Sequence, residues 1–571
     1  ITYKTKSMAS KKALLGGTQV KVENVSGFDK SRFNAFTAPL GSIVPMVKQL
    51  CLPGKINLKV NLSAQLPPLA TDAFLRSHLK VEAFLVPLRL CYGGFMSWFA
   101  GEKVITSNNA PLTATLGSAQ LPYMRVSVTD PSTAPSTHIT ELFGTHSLMD
   151  YFGVKWPLDA SGKPDLTKWP TSGGNYLGLK FNIFPFVAYQ LCYHHWYRNK
   201  LIQRPLFVPS AYESHTNHFA TAASLPFVSF STLHPYDYVI DNGNNDLDIA
   251  NGSLITLRQR NYGYDYFTTA LPSAQDGSPM SVDTSAGNFT ISALRLSNSL
   301  QHFAEVNQVA GPDYIQVCRA RYGKAPSGQV AQRPILLGSA DFPMFTSGVE
   351  QTSGYAQAST GNPFAGIAAR YGRAHAEGSD FVCEAEVDEP SYLMVMCSLV
   401  PEANYASGIA HDMTIFTENG SITDLPNAQL ELSGMDPVFC KELYLPSTQY
   451  SAVFGYQPRY MWHKAGAQNE VHGLFRKGAS LEAFIPQRDF DSVGTPPVQI
   501  STAFLTVEPS DLDNVTAVAG AISQYGVMID SRIDLFVTEP LSEGELPSLV
   551  DPAAEHGRSV YVKRGGISVN D

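Results

Sequence analysis

The segment SYLMVMCSLV, residues 391–400, is a continuous apolar run of strand length held between Pro390 and Pro401. A run this short, bounded by proline at both ends, reads as a β-strand buried on both faces. Two earlier segments carry a different pattern. INLKVNL alternates, with Ile56, Leu58, Val60 and Leu62 on one side, and HLKVEAFLVP repeats the alternation with Leu79, Val81, Ala83 and Leu85 before Pro87 ends it. Period-2 patterning is the mark of a strand with one buried face.

Helical pattern is scarcer. After Pro185, which suits a helix start, Ala188, Leu191, Cys192 and His195 recur at i, i+3, i+4 and i+7. A second helix is expected after Thr290, with Leu296, Leu300, Phe303 and Ala304 on one face. Both sit among long stretches of strand and turn signals, notably 103–180 and 203–258. There is no βαβ rhythm and no internal repeat, so the pattern points to an antiparallel sandwich or jelly roll with large insertions.

Loops of that length are uncommon unless something orders them, and a partner surface is the natural candidate. Composition agrees: 44% of the 571 residues are hydrophobic and only 16% charged, below the roughly 25% charge of an average domain. That suits a subunit better than a lone monomer. Seven cysteines form no CxxC pair and their number is odd, so buried free thiols in a reducing compartment are expected. No apolar run reaches the 18 or so residues that span a bilayer, and membrane insertion is not expected.

Charge is unevenly placed. Residues 1–22 hold Lys4, Lys6, Lys11, Lys12 and Lys21 and no acid, whereas residues 504–557 hold ten acids and one base, Arg532. Residues 1–30 are thus read as a basic N-terminal arm, with Lys4, Lys6, Lys11 and Lys12 the candidates to meet phosphate. The net charge of −9 argues against a chain that coats nucleic acid with its whole surface.

Catalysis leaves no signature. HExxH, GxSxG and paired CxxC motifs are missing, and GGNYLGLK has Leu179 where a phosphate loop requires lysine. Adjacent helical residues point about 100° apart, so His194 and His195 make a poor metal pair, and His215 with His218 lacks a supporting ligand pattern. No cofactor, metal or catalytic residue is assigned. The alternative to a structural subunit is a large β-sandwich lectin or glycan-active enzyme, favoured only by fold and aromatic content.

Several blocks taken in order give the chain an identity as a resemblance. SRFNAFTAPLGSIVP, LPGKINLKVNLSAQLPPLATDAFLRSHLKVEAFLVPLRL, LMDYFGV, FPFVAYQLCYHHWYRNKLI, YFTTALPSAQDG, RYGKAPSGQVAQRPILLGS, VEQTS, VFGYQPRYMWHK and VHGLFR follow one another within a resemblance that extends from about Ser31 to Asp551. In that order they resemble the major capsid protein of the Microviridae, closest to the gokushovirus-like branch. The resemblance implies a mainly β fold, an eight-stranded antiparallel viral jelly roll with large loop insertions and a few short helices. Residues 31–571 would form one domain, with insertions at about 103–180 and 203–258.

About sixty such subunits would close a T=1 icosahedral shell. It would enclose circular single-stranded DNA and be assembled in the bacterial cytoplasm. A small basic DNA-binding protein, a minor pilot protein and a host surface receptor are the further partners implied. Arg198 is expected in a buried or interfacial salt bridge, although His194, His195 and Asn199 replace the family's acidic neighbours of that arginine. Tyr266, Phe267, Arg333, Tyr456 and Arg459 are expected as structural or interface anchors.

Overall fold

The computed structural model describes residues 25–100, 121–127, 144–203, 237–241, 254–274, 295–303, 313–352, 369–541 and 560–569, apart from single residues and short runs within these ranges. Ten strands, numbered here in chain order, build two facing sheets: β1 (Ser26–Asp29), β2 (Arg32–Ala38), β3 (Val44–Cys51), β4 (Gly54–Gln65), β5 (Ser77–Pro87), β6 (Ile335–Pro343), β7 (Phe345–Thr352), β8 (Ala369–Val387), β9 (Ser391–Pro401) and β10 (Val527–Glu539). The larger sheet runs β1-β10-β4-β8-β7, with β2 also on β10; the smaller runs β6-β5-β9-β3. Every pairing within these two sheets is antiparallel. Partners are nested along the chain: β2 with β10, β3 with β9, β4 with β8, and β5 with β6.

The alternating segments behave as their period requires. In β4, Ile56, Leu58, Val60, Leu62 and Ala64 point into the sandwich, while Lys55, Asn57, Lys59 and Ser63 are exposed. β10 repeats this, with Ile529, Ile533, Leu535 and Val537 inside and Asp530 and Arg532 outside. The larger sheet therefore has one apolar face and one face open to solvent among the described residues. Gly338 sits at a register shift between β6 and β5, and a Cβ there would stand 2.0 Å from the Val382 carbonyl of β8. Glycine is required where the two sheets approach so closely.

The central strands of the smaller sheet, β5 and β9, are buried on both faces. Leu393, Val395, Cys397 and Leu399 of β9 enter the core between the sheets, whereas Tyr392, Met394 and Met396 enter a second apolar core on the far side. β5 divides likewise, sending Leu79, Val81, Ala83 and Leu85 inward and Phe84 and Val86 outward. That outer face is covered by the long connection from β5 to β6, residues 88–334, which contains helix α1 (Phe184–Cys192). The sequence suggests a helix with one apolar stripe; instead all nine residues of α1 are buried. A helix surrounded by protein needs apolar residues all round. Its two polar side chains are satisfied locally: the Tyr189 hydroxyl donates to the Ile43 carbonyl at 2.8 Å, and Gln190 donates to the Leu254 and Thr256 carbonyls, each at 2.9 Å.

A charge is built into this second layer. Glu82, on the outer side of β5, accepts from Arg260 through both oxygens at 2.7 and 3.2 Å and from the Tyr197 hydroxyl at 2.5 Å. Arg260 also donates to Ser398 of β9 at 2.9 Å and lies 5.2 Å over the Tyr197 ring. Removing one partner of such a largely buried pair strands the other charge, at a cost of about 3–5 kcal/mol, whereas an exposed pair contributes about 0–1 kcal/mol. His78 with Asp341 is of the exposed kind.

The second long connection, from β9 to β10, carries the short hairpin Met435–Phe439 with Val453–Pro458 and a third apolar core that includes Phe267, Val438, Phe454 and Phe504. Outside the sandwich the strands Tyr123–Ser127 and Asp237–Asp241 pair in parallel.

Denaturant unfolding of the unassembled subunit tests this layering. Leu393→Ala should cost about 2–5 kcal/mol and Glu82→Ala about 3–5 kcal/mol. Lys59→Ala, on the open face, should stay within about 0.5 kcal/mol of the wild type.

Candidate assembly surface

The residues with chemical or architectural promise lie on the two long connections. After α1 the chain widens into a π-helical stretch, Tyr193–Tyr197, and leaves it at Arg198. Arg198 does not make the expected salt bridge among the described residues. Its guanidinium donates to the Gln203 carbonyl at 2.7 Å, because the positions beside it are His194, His195 and Asn199 rather than acids. The acid arrives from elsewhere. Asp313 pairs with Lys200 at 3.0 Å and with Arg333 at 3.2 Å. Arg333 also lies 4.7 Å over the Trp196 ring, whose Nε1 donates to the Pro334 carbonyl at 2.9 Å. Arg333 and Pro334 thus anchor the approach to β6 against the end of the π-helical stretch.

The YFTTALP stretch is anchored inside the same chain. Asp265 accepts from the backbone N–H groups of Phe267 and Thr268 at 2.9 and 2.7 Å, which closes a turn. Phe267 is fully buried, and the buried Tyr266 donates to Glu442 at 3.2 Å. Leu271 and Tyr456 exchange both backbone hydrogen bonds, each 2.8 Å, and Gln457 donates to Thr269 at 2.8 Å. Gly455 lies at this crossing, where an added Cβ would stand 3.0 Å from that of Ala270. Arg459 follows, paired with Asp436 at 3.1 Å across the hairpin. Only Tyr264 of the aromatic run points away, 89% exposed.

Arg488 is a hub that no sequence pattern indicates. It is buried among aromatic faces, 4.4 Å from the centres of Tyr262 and Phe504 and 5.1 Å from Phe490, and donates to the Phe504 carbonyl at 2.5 Å. A desolvated cation over several rings gains more than an exposed one, and here it ties the first long connection to the second. Glu82 could have been suspected, as an acid inside an otherwise apolar strand; Arg488 could not.

Large apolar side chains remain exposed on both connections. Leu296, Leu300 and Phe303, the stripe expected on the helix after Thr290, lie on helical turns and face solvent, as do Tyr314 and Tyr322 of α2 (Tyr314–Tyr322). The second connection exposes Met413, Phe416, Ile422 and Leu425. Grouped exposed apolar residues of this kind mark contact surfaces. Lys4, Lys6, Lys11 and Lys12 lie outside the described residues, as do His215 and His218. Among the described residues no three His, Cys, Asp or Glu side chains gather as a metal site, and no helix is long and apolar enough to cross a membrane. All seven cysteines are free; six are buried and Cys318 is half-buried.

The two adjacent histidines give the surface a pH dependence. Their rings meet edge to face with centroids 5.0 Å apart. Burial, reinforced by Arg198, His195 and Lys200, holds His194 down at about 3, and burial with Lys200 and Arg333 holds His195 at about 4. Both are neutral at neutral pH, whereas in the unfolded chain histidine titrates near 6.5. The unfolded state therefore binds protons first as the pH falls. Their stabilising share is complete above about pH 6.5 and is lost at roughly 1.4 kcal/mol per pH unit per ring, until the folded values are reached. Calorimetry should show Tm falling between about pH 6.5 and pH 4.5, with a shallower fall in His195→Gln.

Comparison with known proteins agrees with a shell subunit. Residues 280–547 match the family model described as capsid protein (F protein). The capsid protein VP1 of Bdellovibrio phage phiMH2K is 23% identical over 485 residues, covering 79% of this chain and 82% of the relative. The capsid protein VP1 of Chlamydia phage 1 is 22% identical over 567 residues, covering 82% and 88%. A β-sandwich whose long connections carry buried anchors and exposed apolar residues, similar over most of its length to the capsid proteins of two small phages, is the major capsid protein of a small single-stranded DNA bacteriophage, with a structural and not a catalytic role.

Proposed function

We propose that the subunit is a viral jelly roll, residues 31–571 forming one domain, and that about sixty copies close a T=1 shell around circular single-stranded DNA. The observation that carries this reading is the nested pairing of β2 with β10, β3 with β9, β4 with β8 and β5 with β6. Rolling such a nested hairpin gives two four-stranded sheets; β1 and β7 then extend the larger one. The connections 88–334 and 402–526, within the first of which both expected insertions fall, supply the surfaces between subunits. The exposed Leu296, Phe303, Tyr314 and Ile422 support that role, because closed symmetry turns such patches into repeated interfaces.

Packaging follows from charge. With a net charge of −9 the subunit cannot neutralise a genome's phosphates by itself. Cations or a small basic DNA-binding protein share that work, and the basic arm with Lys4, Lys6, Lys11 and Lys12 faces the DNA. A minor pilot protein and a host surface receptor complete the set of partners, and assembly takes place in the bacterial cytoplasm.

Electron microscopy of the chain produced with its phage partners tests the shell. The expected result is a closed particle of about 3.7 MDa of protein, from about sixty copies of 62.1 kDa; open tubes or stable monomers would overturn it. Replacing Lys4, Lys6, Lys11 and Lys12 by Ala should lower the DNA content of purified particles while leaving subunit folding intact. Unchanged DNA content would remove the arm from the packaging account.

A further inference from the structure

A cleft of about 900 Å³ opens beside β2, where residues 144–155 of the first connection pass the edge of the sandwich. Arg32 of β2 and Lys48 of β3 line it together. The Arg32 Nε and Nη2 atoms are buried and have no hydrogen-bond partner among the described residues. Lys48 donates to the Phe152 carbonyl and stands 5.2 Å over the Phe152 ring, so a neutral acceptor and a π face are its partners. Burial, and after it the charge of Arg32, pushes the Lys48 ammonium below the usual lysine range. Asp150, the acid on the cleft wall, has Lys155 and His146 as its charged neighbours. His146 meets the Thr37 hydroxyl at 2.5 Å and holds a left-handed backbone, φ 65°.

Arg32 holds two guanidinium nitrogens out of water without an acceptor, beside the more exposed ammonium of Lys48, and the two like charges repel each other. The chain retains that arrangement at the mouth of a roomy cleft, which makes sense when an anion enters from outside. We propose that the cleft is a phosphate-binding site, with Arg32 donating through Nε and Nη2 and Lys48 supplying the second charge. A guanidinium fork beside an ammonium suits a tetrahedral oxyanion that carries more than one acceptor. The rim adds the exposed Phe33 and Tyr525, 76% and 54% accessible, flat faces on which a base can stack. The phosphate is therefore either free or part of a single-stranded polynucleotide. The site stands independently of the shell geometry proposed above.

Isothermal titration of the full chain with inorganic phosphate, with a short oligothymidylate and with an acidic peptide separates the sources. Wild type should bind phosphate, and Arg32→Gln should weaken binding at least about tenfold. Lys59→Gln, on the open sheet face, should leave it unchanged. Oligothymidylate binding that phosphate competes away identifies a polynucleotide phosphate; phosphate binding without oligothymidylate binding identifies the free ion. Arg32→Lys, which keeps the charge and loses the fork, should fall between wild type and Arg32→Gln, and a phosphate-dependent rise in Tm, present in wild type and lost in Arg32→Gln, reads folding and binding together. Equal phosphate binding by wild type and Arg32→Gln, no phosphate binding by folded wild type, or tighter binding of the acidic peptide than of phosphate would overturn the proposal.

Discussion

The double burial of β9 is the constraint on which the rest of the molecule depends. A sandwich needs only one apolar face per sheet, and the larger sheet obeys that rule with Lys55, Asn57 and Lys59 turned to solvent. The smaller sheet does not. Tyr392, Met394 and Met396 of β9, with Phe84 and Val86 of β5, would leave a wide apolar surface exposed if the strands stood alone. Burying a side chain of that size contributes roughly 1.5–3 kcal/mol, so the first long connection is an integral layer and not an ornament.

That layer explains details that otherwise look irregular. The helix α1 is buried on every side because it lies between the sheet and residues 254–258. Glu82 fits within an apolar strand because Arg260 and Tyr197 of the covering layer complete it. Arg488 works in the same way on the second connection, where Tyr262, Phe490 and Phe504 replace water around its charge. In each case a buried charge couples two chain segments far apart in sequence. Such pairs set the relative position of layers more than they add net stability.

The division of labour suits a shell subunit. Nested strands make a stiff sandwich, and the connections present the apolar residues that neighbours can cover. The YFTTALP stretch illustrates the boundary between these roles. Its Tyr266 and Phe267 are fixed within the subunit by Glu442 and the third core, while Tyr264, two positions earlier, is left outside.

The local periods alone determined the strands: the alternation in β4 and β5 named their inward residues, and the unbroken apolar run named β9 as two-faced. They also indicated a helix after Pro185, because apolar spacing and a proline start are local signals. The resemblance of ordered blocks carried the identity. Only the tertiary structure decided which strands pair and which segment covers β9, since both depend on contacts between residues hundreds of positions apart. Within the subunit it gave Arg198 a carbonyl partner and placed the ion pair on Lys200, Arg333 and Asp313. Arg32 and Arg488 were illegible beforehand for the same physical reason: a lone basic residue in a sequence has no marker for burial, and only packing shows which charged groups have lost their water.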